Sequence, residues 1–187
     1  VKMQMPPEVK RSMAFLLTSI FLWFTAYNAV TTAFSRYTKV VWHLEGGGFA
    51  DCLMVATVAA ILSYVPIGNL AGRIGRKKTI LVGIVLMSIC YFAAIFVGQY
   101  HGLVNVAFAV IGIGWAAINV NSYPMIVEMS KGSDIGKFTG TYYTFSMAAQ
   151  ILTPILSGFL LENVSYRTLF PYAFVFSVLA FITMAQV

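Results

Sequence analysis

The sequence predicts an all-α membrane protein with six transmembrane helices, and three observations predict it. Six apolar stretches, 13–34, 50–71, 79–98, 103–128, 137–161 and 168–187, lie end to end and fill nearly all of the 187 residues. Each approaches the ~20 residues that carry a helix across a ~30 Å hydrocarbon layer. Hydrophobic residues make up 59% of the chain and charged residues 10%, where a soluble domain carries roughly 25% charged residues, and the mean hydropathy is +0.83. The net charge of +6 would point to nucleic acid in a soluble protein. Here the bases stand in short connectors and at the N-terminus rather than on one solvated face, so no nucleic-acid partner is read from them.

Residues 1–12 contain Pro6-Pro7 and mixed charge and read as a cytoplasmic linker segment, which leaves 13–187 as one six-helix transmembrane domain. The chain begins with Val1 rather than Met, as a piece of a longer polypeptide would. In the first helix Asn28 and Thr32 share a face, with Tyr27 and Thr31 beside them. A long connector, 35–48, leads to the second helix, which Asp51 is expected to cap. That helix turns polar toward its end, at Ser63, Tyr64, Pro66 and Asn69. The third and sixth are almost wholly apolar, and helices apolar all round are expected to face lipid. The fourth sets Asn119, Ser122 and Tyr123 on one face just before Pro124, with Asn121 pointing elsewhere and Gly112 and Gly114 loosening its middle. On the fifth, Thr139, Tyr143, Ser146, Gln150 and Thr153 recur at helical spacing and form one stripe. Gly68/Gly72 and Gly136/Gly140 are small-residue pairs at which close helix approach is expected. Cys52 and Cys90, in different apolar spans, read as small core residues.

Lys and Arg set the orientation. Lys2, Lys10, Arg11, Arg73, Arg76, Lys77, Lys78, Lys131 and Lys137 fall on one side, and only Arg36, Lys39 and Arg167 on the other. The nine-base side is expected to be cytoplasmic, with both termini on it, in the plasma (inner) membrane.

Polar groups in hydrocarbon need partners or a wet cavity. Any single hydroxyl is explained by interhelical bonding, but polar faces on three helices together favour a solvated central path. Its expected lining is Tyr27, Asn28, Asn119, Tyr123, Tyr143 and Gln150. Tyrosine rings with amides suit a small polar, uncharged solute such as a sugar. No Asp, Glu, Lys, Arg or His lies at a span centre, so no proton carrier stands out, and no nucleophile–base pair or ligand set marks an enzyme. No cofactor or metal is implied. Glu128, at the end of the fourth helix, is expected to pair with a loop base such as Lys131.

Between the second and third spans stands Gly68-Asn69-Leu70-Ala71-Gly72-Arg73-Ile74-Gly75-Arg76-Lys77-Lys78. It resembles the signature loop of the major facilitator superfamily, G-x-L-a-D-R-x-G-R-k-x, through Gly68, Leu70, Ala71, Arg73, Gly75, Arg76 and Lys77. Gly72 replaces the acid of that pattern. The loop occurs in each six-helix half of such proteins and is commonly degenerate in the second, so the resemblance implies a C-terminal half, one half of a major-facilitator-type bundle. It implies a gating loop at Gly68, Arg73, Gly75 and Arg76, and alternating access by two halves with the solute between them. Asn119 to Pro124, Gly140 to Tyr143, Pro154 and Gly158 look like the branch of sucrose/proton and glycoside–cation symporters, which implies symport of a sugar or glycoside with a cation. The expected partners are the lipid bilayer, the solute, and an N-terminal six-helix half or a second copy of the chain. The alternative is a structural or regulatory six-helix membrane subunit with no transport path of its own.

Overall fold

A computed structural model describes residues 6–44, 47–130 and 135–187. Its long elements are six helices: α1 (Pro7–Val40), α2 (Gly48–Ile74), α3 (Arg76–Ile95), α4 (Leu103–Met129), α5 (Ile135–Asn163) and α6 (Leu169–Ala185), the last preceded by a single 3-10 turn, Tyr166–Thr168. All six spans are long and apolar enough to cross a membrane.

Helix α1 overruns the expected stretch 13–34 at both ends. Its 34 residues amount to about 51 Å at 1.5 Å per residue, well beyond the hydrocarbon thickness. Residues 7–12 of the expected linker are its first turns; residues 1–5 lie outside the described residues. Residues 35–40 of the expected connector 35–48 are also helical, because Tyr37 and Thr38 continue the buried face of Phe34 while Arg36 and Lys39 point to solvent. Hydropathy registers only the part of a helix that lies in lipid. Asp51 does not cap α2: Gly47 stands at the N-cap, and no side-chain cap bond is present among the described residues. The Asp51 carboxylate instead lies in the first turn, where the helix dipole still favours it.

Contacts between helix ends fix the up-and-down order. Ser19 and Thr183 share a hydrogen bond at 2.6 Å, and Lys77 Nζ donates to the carbonyls of Ala185 and Val187. The start of α1 and the end of α6 therefore stand beside the basic loop 73–78. At the opposite end Arg36 meets Glu162 at 2.7 Å, and Trp42 Nε1 donates to the Val97 carbonyl at 3.1 Å.

The packing is crossed. Helix α1 lies mainly against α5 and α6, and α4 mainly against α2 and α3, while α3 and α6 pack on each other. Exchanging α1–α3 with α4–α6 leaves this pattern unchanged, as expected of two three-helix repeats inserted in opposite senses. An ion pair stands at each end: Arg36 and Glu162 join the ends of α1 and α5, and Glu128 and Arg76 join the end of α4 to the first residue of α3 at the other membrane face.

The third and sixth helices each turn one apolar face outward and another into the bundle. Inside the bundle, 44% of the α3 span is buried, against 17% for α2 and 28% for α5. Val82, Val85 and Ile89 of α3 face outward, but Ile80, Ile84, Met87 and Tyr91 are enclosed. In lipid an apolar side chain is equally at home outside or inside, so composition does not separate the two. The glycines also redistribute. A Cβ on Gly72 or Gly140 would meet nothing within 4 Å. A Cβ on Gly83 would lie 2.7 Å from the Gly114 carbonyl oxygen, and one on Gly114 would lie 2.7 Å from that of Gly83. A Cβ on Gly112 would strike the Ala56 backbone. Gly112 and Gly114 are the points at which α2 and α3 seat on α4. Cys52 and Cys90 are buried free thiols, as a core role requires.

Candidate functional site

The expected site residues fall into two groups and an exposed line. In the first group α1 and α4 meet through rings. Tyr27 stacks on Trp115 with centroids 3.9 Å apart and planes within 6°, and Phe24 meets the same indole edge-on at 5.2 Å. Asn28 follows Tyr27, and Asn119 lies one turn beyond Trp115; both are half-buried. The Asn28 carbonyl accepts from Thr32 Oγ1 at 2.6 Å. Its side-chain Nδ2 is buried with no protein partner among the described residues, an uncommon state for an amide.

The second group lies nearer the basic loop. Tyr123 of α4 meets Tyr142 and Tyr143 of α5 at ring distances of 5.4 and 6.3 Å, and its hydroxyl stands 3.4 Å from Thr139 Oγ1. Tyr143 is 50% exposed, and Gln150, two turns further along α5, is exposed as well. No described contact joins Gln150 to the Tyr27 group.

The fifth-helix stripe divides between two environments. Ser146 and Thr153 are buried and return their hydroxyls to their own helix, onto the Tyr143 and Ala149 carbonyls. Small hydroxyls can be satisfied in this way and then pack like alanine; Tyr143 and Gln150 cannot, and they stay on the open side.

In the loop, Gly75 has φ +97°, a left-handed backbone that glycine alone adopts freely. It ends α2, its N–H bonding the Ala71 carbonyl, and starts α3 at Arg76. The Arg76 guanidinium then forks. Nε donates to Glu128 Oε1 at 2.9 Å, and one terminal nitrogen to Asn121 Oδ1 at 3.2 Å. Glu128 thus pairs with Arg76; Lys131, the loop base named for it, lies outside the described residues. Asn121 does point away from the Asn119 face and is fully buried. Gly68 sits 3.8 Å from Val120 on α4 when given a Cβ, and Arg73 is exposed.

Trp115 and Tyr142 were not among the expected residues. Trp115 was within reach of the same reasoning, since it lies four positions before Asn119 and so on the same helical face.

The sequence pattern of the Major Facilitator Superfamily matches residues 16–187. The chain belongs to that superfamily. Two relatives give the match some breadth. A chloramphenicol resistance protein of Acinetobacter baumannii is 31% identical over 101 residues, covering 54% of this chain and 24% of that protein. An uncharacterized protein of Bacillus subtilis is 26% identical over 180 residues, covering 91% of this chain and 39% of that protein. The chain therefore matches well under half the length of each of these relatives. Superfamily members are membrane transporters rather than enzymes, and this chain carries six helices of the length and apolarity that meet lipid.

Proposed function

We propose that the chain is the C-terminal half of a secondary active transporter in the plasma (inner) membrane, with both termini cytoplasmic and alternating access to a small polar solute. The observation that carries this reading is the uncovered side of α2 and α5. These two helices are the least buried of the six, and they expose Tyr64, Tyr143 and Gln150. An amide facing hydrocarbon is costly, so this side suits a second six-helix body and a wet path between the two. That body is an N-terminal half or a second copy of the chain. The Gly68–Arg76 loop is then the cytoplasmic gating element.

For the solute, the stacked Tyr27–Trp115 pair, the tyrosine cluster and the free Asn28 amide suit a neutral ring that carries hydroxyls. A sugar or glycoside, moved by symport with a cation, fits those groups. The coupling acid would come from the partner half, because no acid stands at a span centre here. A second reading rests on the Acinetobacter baumannii relative, whose name makes chloramphenicol a candidate cargo. Equilibrium dialysis of the chain in lipid nanodiscs against radiolabelled methyl glucoside and chloramphenicol separates the two. Saturable binding of one, lost in Asn28→Ala and Gln150→Ala, is expected. Binding of neither, together with a Gln150→Cys thiol that water-soluble reagents never reach, would leave the structural-subunit alternative.

A further inference from the structure

Away from the basic loop, the α3–α4 pair encloses a space with no assigned role. The two helices touch backbone to backbone at Gly83 and Gly114. Beyond that crossing they do not fill the gap between them, and a cavity of about 310 Å³ remains. Cys90, Ala93 and Ala94 of α3, with Val97 just past its end, line one side, and Val104, Ala107, Phe108 and Ile111 of α4 the other; Trp42 and Phe170 help to close it. Small side chains on both facing helices leave the room. None of the residues proposed to contact the solute lines it.

The lining decides what can occupy it. Apart from the Cys90 thiol and the His101 imidazole, the only polar side-chain atom among the lining residues is Trp42 Nε1, which is bonded to the Val97 carbonyl. A water molecule needs two to four polar partners and would find almost none, so such a cavity stays dry. An empty cavity of this size also forfeits dispersion contacts for its whole lining. An apolar occupant gains both. The mouth sets the direction of entry. Leu103 is 68% exposed, and Ala93 beside it is exposed as well, so the opening is apolar and lies at the end of two membrane-spanning helices. Tyr100, His101 and Asn105 stand at that end, with the Tyr100 hydroxyl and Asn105 amide bonded at 3.0 Å. This is the order of groups that a lipid meets at the hydrocarbon boundary: polar and aromatic at the rim, apolar below.

We propose that this cavity binds an acyl chain of a bilayer lipid, which enters sideways between Ala93 and Leu103, and whose headgroup rests near Tyr100 and His101. The acyl chain fills the wedge between α3 and α4 above their glycine crossing, which no residue of α2 or α5 lines.

The test uses the whole chain with Trp23→Phe and Trp115→Phe, so that Trp42 is the only tryptophan, reconstituted in phosphatidylcholine vesicles with or without brominated acyl chains. Bromine quenches indole only at contact. Trp42 emission is expected to fall below half in brominated vesicles, and Ala94→Leu and Ala107→Leu, made separately, should each cut that loss at least twofold. Quenching in both filled variants as strong as in the chain without them, or no quenching at all, overturns the proposal. Bromobenzene in unbrominated vesicles is the third arm: quenching by bromobenzene without quenching by brominated lipid rejects the lipid. The unsubstituted chain gives an independent reading that needs no folded variant. A phosphatidylcholine carrying a diazirine in its acyl chain should crosslink mainly within residues 90–111, and crosslinks spread evenly over α2, α5 and α6 would reject the site.

Discussion

Arg76 holds Glu128 and Asn121 at once, donating to the carboxylate at 2.9 Å and to the buried amide oxygen at 3.2 Å. The two partners are not equivalent. Glu128 is 61% exposed in its side chain, and exposed pairs contribute about 0–1 kcal/mol. Asn121 is fully buried, and an orphaned buried acceptor costs about 1–3 kcal/mol. Arg76→Ala should therefore lower the thermal midpoint in detergent clearly more than Glu128→Gln. Equal losses would mean that the ion pair, not the amide, fixes the loop.

Gly83→Ala places a methyl against the Gly114 carbonyl and the Ala117 side chain. Overpacking of this kind costs about 1–3 kcal/mol. Gly72→Ala meets open space and should be neutral or slightly stabilising. Chemical denaturation of the two variants side by side checks the contrast, and an intact Gly83→Ala bundle would remove the crossing from the account.

If a second copy covers the open side, single cysteines at Asn28, Asn69 and Gln150 should crosslink between chains in native membranes. Cysteines at Ser88 and Val178 line the outer α3–α6 groove and should stay unlinked. Crosslinks at the second pair alone would turn the dimer around.

Sidedness is checked by an impermeant thiol reagent in a background without Cys52 and Cys90. Cysteines at Lys78 and Lys137 should react only from the cytoplasm, and one at Lys39 only from outside. Labelling of position 78 from outside would invert the orientation.

Loss of a bond to a ligand hydroxyl leaves one buried group unpaired, so Asn28→Ala and Gln150→Ala should each weaken solute binding by roughly 1–3 kcal/mol. The free Asn28 amide makes it the more sensitive of the two. Titration of the variants in nanodiscs reads this, and unchanged affinity at both positions would move the site elsewhere.

The six spans were legible because a bilayer demands length and apolarity, and those are written directly in the chain. The loop was legible too, since Gly75 and Arg76 do local work that no other residues do as well. The inside of the bundle was harder to read. Tyr91 and Tyr172 stand in helices that read as bare, yet both are buried with hydroxyls unpartnered among the described residues. Ser146 and Gln150 looked like one stripe, but a serine can bond its own helix and a glutamine seldom does. Trp115, which stacks on Tyr27, counted only as apolar. In water, burial sorts apolar from polar residues; in lipid that signal is lost, and packing partners cannot be inferred from hydropathy.

The crossed packing also sets an order of assembly. Of the six helices α1 leaves the ribosome before the other five, but the helices that embrace it are α5 and α6, whose first residues come more than a hundred positions after its own. Until then Asn28, Thr31 and Thr32 stand in the membrane without those neighbours, and α4 is the first arrival that finds its own, α2 and α3, already in place. Contacts so distant in sequence form slowly. Within this bundle α1 therefore stays loosely held until α5 is made, and a stall or a truncation before α5 leaves that helix for quality control to find.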